Sequence, residues 1–171
     1  MVRPHLNDLP DFSLSQEFSL RFYRPGDEEN WFRIQSAADL HSDISHELFA
    51  KDFGSNLALL SERQFFLVDN EGTAIGTATA WFNNHFPDGS YGRVHWVAII
   101  PEFQGRGLSK PLMTAVCKRL RELGHERAYL STSTERLKAI KLYLRFGFVP
   151  WIKSPEQRTA WEKLKGVLEL A

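Results

Sequence analysis

The sequence is poor in the features that would classify it at once. It holds a single cysteine, Cys117, in 171 residues, so neither a disulfide framework nor a cysteine-based zinc site can form within one chain. It has no excess of either charge. Lys plus Arg and Asp plus Glu are 21 each, which leaves no broad field to recruit nucleic acid or an anionic membrane. No apolar run has the length of a membrane span or a signal-peptide core, and the first residues include Asp8 and Asp11. No set of His, Asp and Glu shows metal-ligand spacing. What these absences leave is an expected cytoplasmic globular chain, with 43% hydrophobic residues to fill a core.

What is present gathers between Val94 and Met113. Val94 to Ile100 is dense in β-branched and aromatic residues and reads as a strand that Pro101 stops. From Leu108 the apolar residues recur at Leu112, Val116, Leu120 and Leu123, one face of a helix that Gly124 ends. Pro111 falls in its first turn, where the missing N–H has no intrahelical partner anyway. Between strand and helix lies Gln104-Gly105-Arg106-Gly107-Leu108-Ser109, followed by Lys110. Two glycines permit a tight turn and a close approach, the N–H groups of a helix start favour phosphate, and Arg106 adds positive charge. A pyrophosphate suits that loop, and so does a plain strand-to-helix turn. The Walker and dinucleotide-binding patterns are both absent from it.

The rest of the chain reads in order. Residues 1–16, polar and proline-punctuated, are expected to be a loose leader, with one domain over 17–171. Phe18 to Tyr23 alternates as a strand, and Asp27 can cap a helix carrying Trp31, Ile34 and Ala38. Ile44 and Leu48 mark a second helix ending near Gly54. Gln64 to Val68 and Thr73 to Phe82 form a hairpin around Asp69-Asn70-Glu71-Gly72. After the long helix come a strand at Arg127 to Ser131, a helix with Leu137, Ile140 and Leu144, and a last strand at Phe148 to Ile152. Ser154-Pro155-Glu156-Gln157 opens a C-terminal helix. The pattern predicts an α/β domain with a mixed, mostly antiparallel sheet flanked by helices.

The loop resembles the acyl-CoA loop of the GNAT (Gcn5-related N-acetyltransferase) superfamily, Gln/Arg-x-x-Gly-x-Gly/Ala, with Gln104 and Gly107 in register and Ser109 in place of the last small residue. Ala139-Ile140-Lys141-Leu142-Tyr143, running into Gly147-Phe148, resembles the family's late signature, and Arg24-Pro25-Gly26-Asp27-Glu28 its first loop. The likeness covers roughly Phe18 to Trp151. It implies the acyl-CoA N-acyltransferase fold, acetyl-CoA as co-substrate, and acetyl transfer to a primary amine of a small molecule or amino-acid derivative. It also implies a cofactor site made of the backbone at Val97, Ala98 and Ile99, the loop residues Gln104, Gly105, Arg106, Gly107, Leu108, Ser109 and Lys110, and Arg136 and Tyr143. Arg136 stands where relatives often carry asparagine.

The chemistry needs a neutral amine, a donor for the developing oxyanion and a proton for the leaving thiolate. Tyr143 matches the helix tyrosine that protonates the sulfur in many relatives; packing against Ile140 is its other reading. His95, whose ordinary pKa lies near neutrality, is the candidate base, and a strand histidine bonded to a neighbour is the alternative. Arg93 stands where the histone-acetylating branch carries a glutamate. His41 and His46 lie near the early helices. Trp81, Phe82, His85, Phe86 and Tyr91 crowd one loop and either line an amine pocket or cap the sheet. The identity of the amine is not written in these residues. Acetylation of a protein N-terminus or lysine, and a non-catalytic acyl-CoA sensor, are the rival functions; exposed sheet edges allow a homodimer.

Overall fold

The computed structural model describes residues 1–39 and 42–169. Its centre is a six-stranded sheet in the order β1-β6-β5-β4-β3-β2. The strands are β1 (Val2–Arg3), β2 (Phe18–Phe22), β3 (Gln64–Asp69), β4 (Ala74–Trp81), β5 (Tyr91–Ile99) and β6 (Arg127–Tyr129). All neighbours are antiparallel except β5 and β6. The helices are α1 (Glu28–Ala38), α2 (His46–Phe53), α3 (Ser109–Glu122), α4 (Leu137–Arg145) and α5 (Pro155–Glu169). The fold is α/β, with the mixed and mostly antiparallel sheet that the pattern predicts. No helix among the described residues is long and apolar enough to cross a membrane.

Each face of the sheet has its own core. β4 is buried along its whole length, as a central strand covered on both sides must be. On one face α3 lays Leu112, Met113, Val116, Cys117 and Leu120 against Leu67, Ile75 and Val94, and α4 adds Tyr143. On the other, α1 and α2 bring Trp31, Ile34, Phe49 and Phe53 against Phe66, Trp81 and Ala98. Ser45 caps α2 by accepting a hydrogen bond from the Leu48 N–H at 3.2 Å.

Two expectations fail at the same sheet edge. Residues 1–16 are not a loose leader: β1 pairs with β6, Leu6 is buried, and the Phe12 N–H donates to Thr114 Oγ1 at 3.2 Å. The last strand, expected at Phe148 to Ile152, is reduced to one bridge between Val149 and Val2. β1 holds the place beside β6, and Pro150 has no N–H to extend a ladder. The buried Arg3 guanidinium locks this corner by donating to the Phe146 carbonyl and to Asn7 O at 2.9 Å. Gly147 takes φ 72° there, a left-handed backbone that favours glycine, and a Cβ would also press on the end of the Arg3 side chain.

Candidate active site

β5 is irregular at the position where its chemistry begins. Thr77 faces Ala98 and Thr79 faces His95, so Trp96 and Val97 together oppose the single residue Ala78. This is a β-bulge, and Trp96 takes φ 50°, uncommon for a residue other than glycine. The bulge breaks the alternation of faces. Val94, Val97 and Ile99 pack on the α3 side, whereas Trp96 and Ala98 join the aromatic core on the α1–α2 side. His95 lies on that side too, edge-on to Phe53 with ring centroids 5.7 Å apart. The Gln35 amide of α1 donates to Trp96 O at 3.1 Å and holds the bulge from that side.

His95 is 6% exposed, and its Nε2 lies 3.0 Å from Asp52 Oδ2 of α2. The contact is close, but the ring N–H is not aligned for a full hydrogen bond. Asp52 also accepts from the Trp96 indole N–H. Burial pushes the His95 pKa down and Arg93 adds to the fall, while Asp52 works against both; the net direction is down. Burial raises the Asp52 pKa, but its contacts with His95 and Trp96 outweigh that and hold it low. At neutral pH the pair is a neutral imidazole beside a carboxylate. A carboxylate can only accept, so the arrangement favours the proton on Nε2 and leaves Nδ1 as the basic nitrogen.

The opposite edge of β5 is open. β6 pairs only with Tyr91 to Arg93, so from Val94 to Ile99 the strand has β4 on one side and no ladder partner on the other. An extended chain bearing amide groups fits such an edge as an added strand. The expected backbone segment at Val97, Ala98 and Ile99 lies along it. Next comes the turn into α3. Gly105 and Gly107 both take φ 78°, a Cβ on either would stand in open space, and the N–H groups of residues 105–109 make no backbone hydrogen bond among the described residues. Those donors at a helix start make an anion cradle that fits a pyrophosphate. Gln104 braces the turn by donating to Ile99 O at 2.8 Å. Arg106 is exposed, its guanidinium 4.7 Å from the Phe103 ring centroid. The Leu108 side chain is buried, so only its backbone faces the cradle, while Ser109 begins α3 and Lys110 lies over Phe12.

The other expected residues fall into two groups. Tyr143 is buried to 9% exposure on the α3–α4 side, and burial pushes its pKa up to about 12 against the pull of Arg136. It therefore lies on the face opposite His95, with the open edge of β5 between the two faces. The Arg136 guanidinium donates to Asp39 Oδ2 at 2.7 Å and reaches Ser42 Oγ at 3.5 Å. His41 lies outside the described residues, and His46 stacks on Phe32 at the surface with a centroid distance of 4.7 Å. Asp52, Gln35 and the bulge itself escape a reading of the sequence. The unusual Val-His-Trp-Val run was the one available sign, since a histidine and a tryptophan together in a buried strand demand polar partners.

A sheet that loses a strand pairing halfway along β5, beside a glycine cradle at a helix start, is the architecture of acyl-CoA-dependent N-acyltransferases. A model of the acetyltransferase (GNAT) family matches residues 18–148. The chain belongs to that family. Among curated relatives, the mycothiol acetyltransferase of Pseudarthrobacter chlorophenolicus is 36% identical over 155 residues, covering 84% of this chain and 46% of that protein. The mycothiol acetyltransferase of Streptomyces coelicolor is 31% identical over 145 residues, covering 83% and 46%. The chain thus spans about half the length of the curated relatives it matches. A crystal structure of a GCN5-related N-acetyltransferase from Sphaerobacter thermophilus superposes with a TM-score of 0.70 at 21% identity, over 85% of this chain and 46% of that one, and shows the same fold.

Proposed function

We propose that this chain transfers the acetyl group of acetyl-CoA to the primary amine of a small molecule by direct attack of the amine on the thioester. The observation that carries the reading is the β5 bulge, which turns His95 toward Asp52 beside the open strand edge. Acetyl-CoA supplies an activated carbonyl and a thiolate leaving group. The open edge of β5 holds the pantetheine amides as a strand partner would, and the N–H groups of residues 105–109 hold the pyrophosphate. His95 takes a proton from the attacking nitrogen, because its lowered pKa keeps it neutral at pH 7. Asp52 steadies the ring and the charge that forms on it. Tyr143, still protonated at neutral pH, gives its proton to the departing sulfur. The relatives named mycothiol acetyltransferases support a small-molecule acceptor over a protein.

The test has two parts. Calorimetric titration should show acetyl-CoA binding in preference to ATP and NAD. Release of free CoA should then depend on an added amine, and Tyr143→Phe should lower that rate by on the order of a hundredfold with binding retained. Equal binding of all three nucleotides, or a Tyr143→Phe variant as fast as the parent, would sink this reading.

A further inference from the structure

A cleft of about 360 Å³ opens where β6 ends, between the segment Leu130 to Thr134, the segment Pro150 to Lys153 and α5. Its position relative to His95 follows from register. Tyr129 is paired with Arg93, and His95 is two residues further along β5, so both side chains project from one face. Ala128 and Leu130, the neighbours of Tyr129, belong to the core of the other face, which agrees with that assignment. The cleft therefore straddles the end of β6, with Tyr129 on the His95 side and Leu130 and Ile140 on the other, next to the place where β5 and β6 part.

Its lining has a definite chemistry. None of the described lining residues is acidic. Ser131, Thr132 and Ser133 present hydroxyls, and Thr132 Oγ1 is buried without a hydrogen-bond partner. Trp151 is anchored by stacking on Phe86, with centroids 4.3 Å apart. Lys153 is the lining side chain with a fixed charge; its Nζ lies 3.9 Å from the Trp151 ring centroid and donates to His85 Nε2 at 3.0 Å. None of the described lining residues gives Lys153 a carboxylate partner beside the cleft. A second ammonium on an incoming amine would meet no counter-charge here, whereas a carboxylate would meet Lys153 and spare hydroxyl donors.

We propose that this cleft binds the acceptor and selects primary amines that carry a carboxylate, with Lys153 as the counter-charge and Trp151 as the floor beneath the carbons between. The proposal rests on the acetyl-transfer reading, and the test separates the two. The full chain saturated with CoA is titrated, by tryptophan fluorescence, with glycylphenylalanine, its C-terminal amide and its C-terminal aminoethylamide, which end in a negative, a neutral and a positive group. The carboxylate form should bind on the order of tenfold more tightly than the amide, the aminoethylamide most weakly, and Lys153→Glu should reverse the order. Equal affinities, tightest binding of the aminoethylamide, an order that survives Lys153→Glu, or no binding of any of the three would overturn it. Release of CoA is followed with acetyl-CoA and the same dipeptides. Binding in the expected order without any release would overturn the acetyl-transfer reading and leave the charge selection standing.

Discussion

The two faces of the sheet are built from different materials and offer different titratable groups to the edge between them. The α3–α4 face is aliphatic, and its titratable groups Cys117 and Tyr143 are both pushed up to about 12 by burial. The α1–α2 face is aromatic, and burial there pushes His95 down. One physical cause acts on both faces, since low polarity disfavours whichever form is charged. It keeps a phenol protonated on one side and an imidazole unprotonated on the other. The open edge of β5 thus runs between a group ready to give a proton and a group ready to take one, with no ion pair needed to poise either.

The comparison breaks most sharply at His95. His95→Gln should lower amine-dependent CoA release by about 10²–10⁴-fold while leaving the thermal midpoint close to the parent's; a variant as active as the parent would remove the aromatic face from the chemistry. On the aliphatic face the reverse is expected. Leu112→Ala, at a fully buried position on α3, should cost about 2–5 kcal/mol of stability in urea unfolding, with the rate per folded molecule kept. Asp52→Asn sharpens the comparison through pH. Because His95 titrates below its ordinary value of 6.5, the acid limb of kcat/KM belongs below pH 6.5. Asp52 is the partner that holds that pKa up, so its removal should move the limb to still lower pH as well as slow the reaction. A limb that moves toward neutrality would contradict the assignment. The smallest effect belongs to Arg106→Glu, an exposed charge on the cradle, which should weaken acetyl-CoA in calorimetry by a few-fold, in keeping with a solvent-screened contact.

The aliphatic face was legible in the sequence because its order is periodic. Leu108, Leu112, Val116 and Leu120 announce α3, and Leu137, Ile140 and Leu144 announce α4, although Leu144 is exposed and Tyr143 is buried beside Ile140. The hairpin of β3 and β4 was equally plain. What escaped was everything decided between distant segments. β1 is two residues long and has no period to detect, and only its docking on β6 makes it a strand. The short 3₁₀ turn at Leu57–Glu62 has no signature of its own. At the site, His95 and the glycine loop stood out locally, but Asp52 lies 44 residues before the tryptophan it binds. Arg136 was legible as a residue, but its ion pair with Asp39, from another helix end, was not.

The bulge in β5 can also be viewed as an accounting of chain length. Between Thr77 and Thr79 the facing strand carries one residue more than regular pairing uses. Deleting Val97 would give an unbroken ladder, a simpler hairpin and a more ordinary backbone at Trp96. It would also change the parity of everything before it, turning either His95 away from Asp52 or the stretch after it out of its core. Substitutions at these positions alter the site by degrees, whereas a one-residue deletion would invert it. In the history of a chain like this, single-codon gaps in β5 should be the changes least tolerated, even where they improve the strand as a strand.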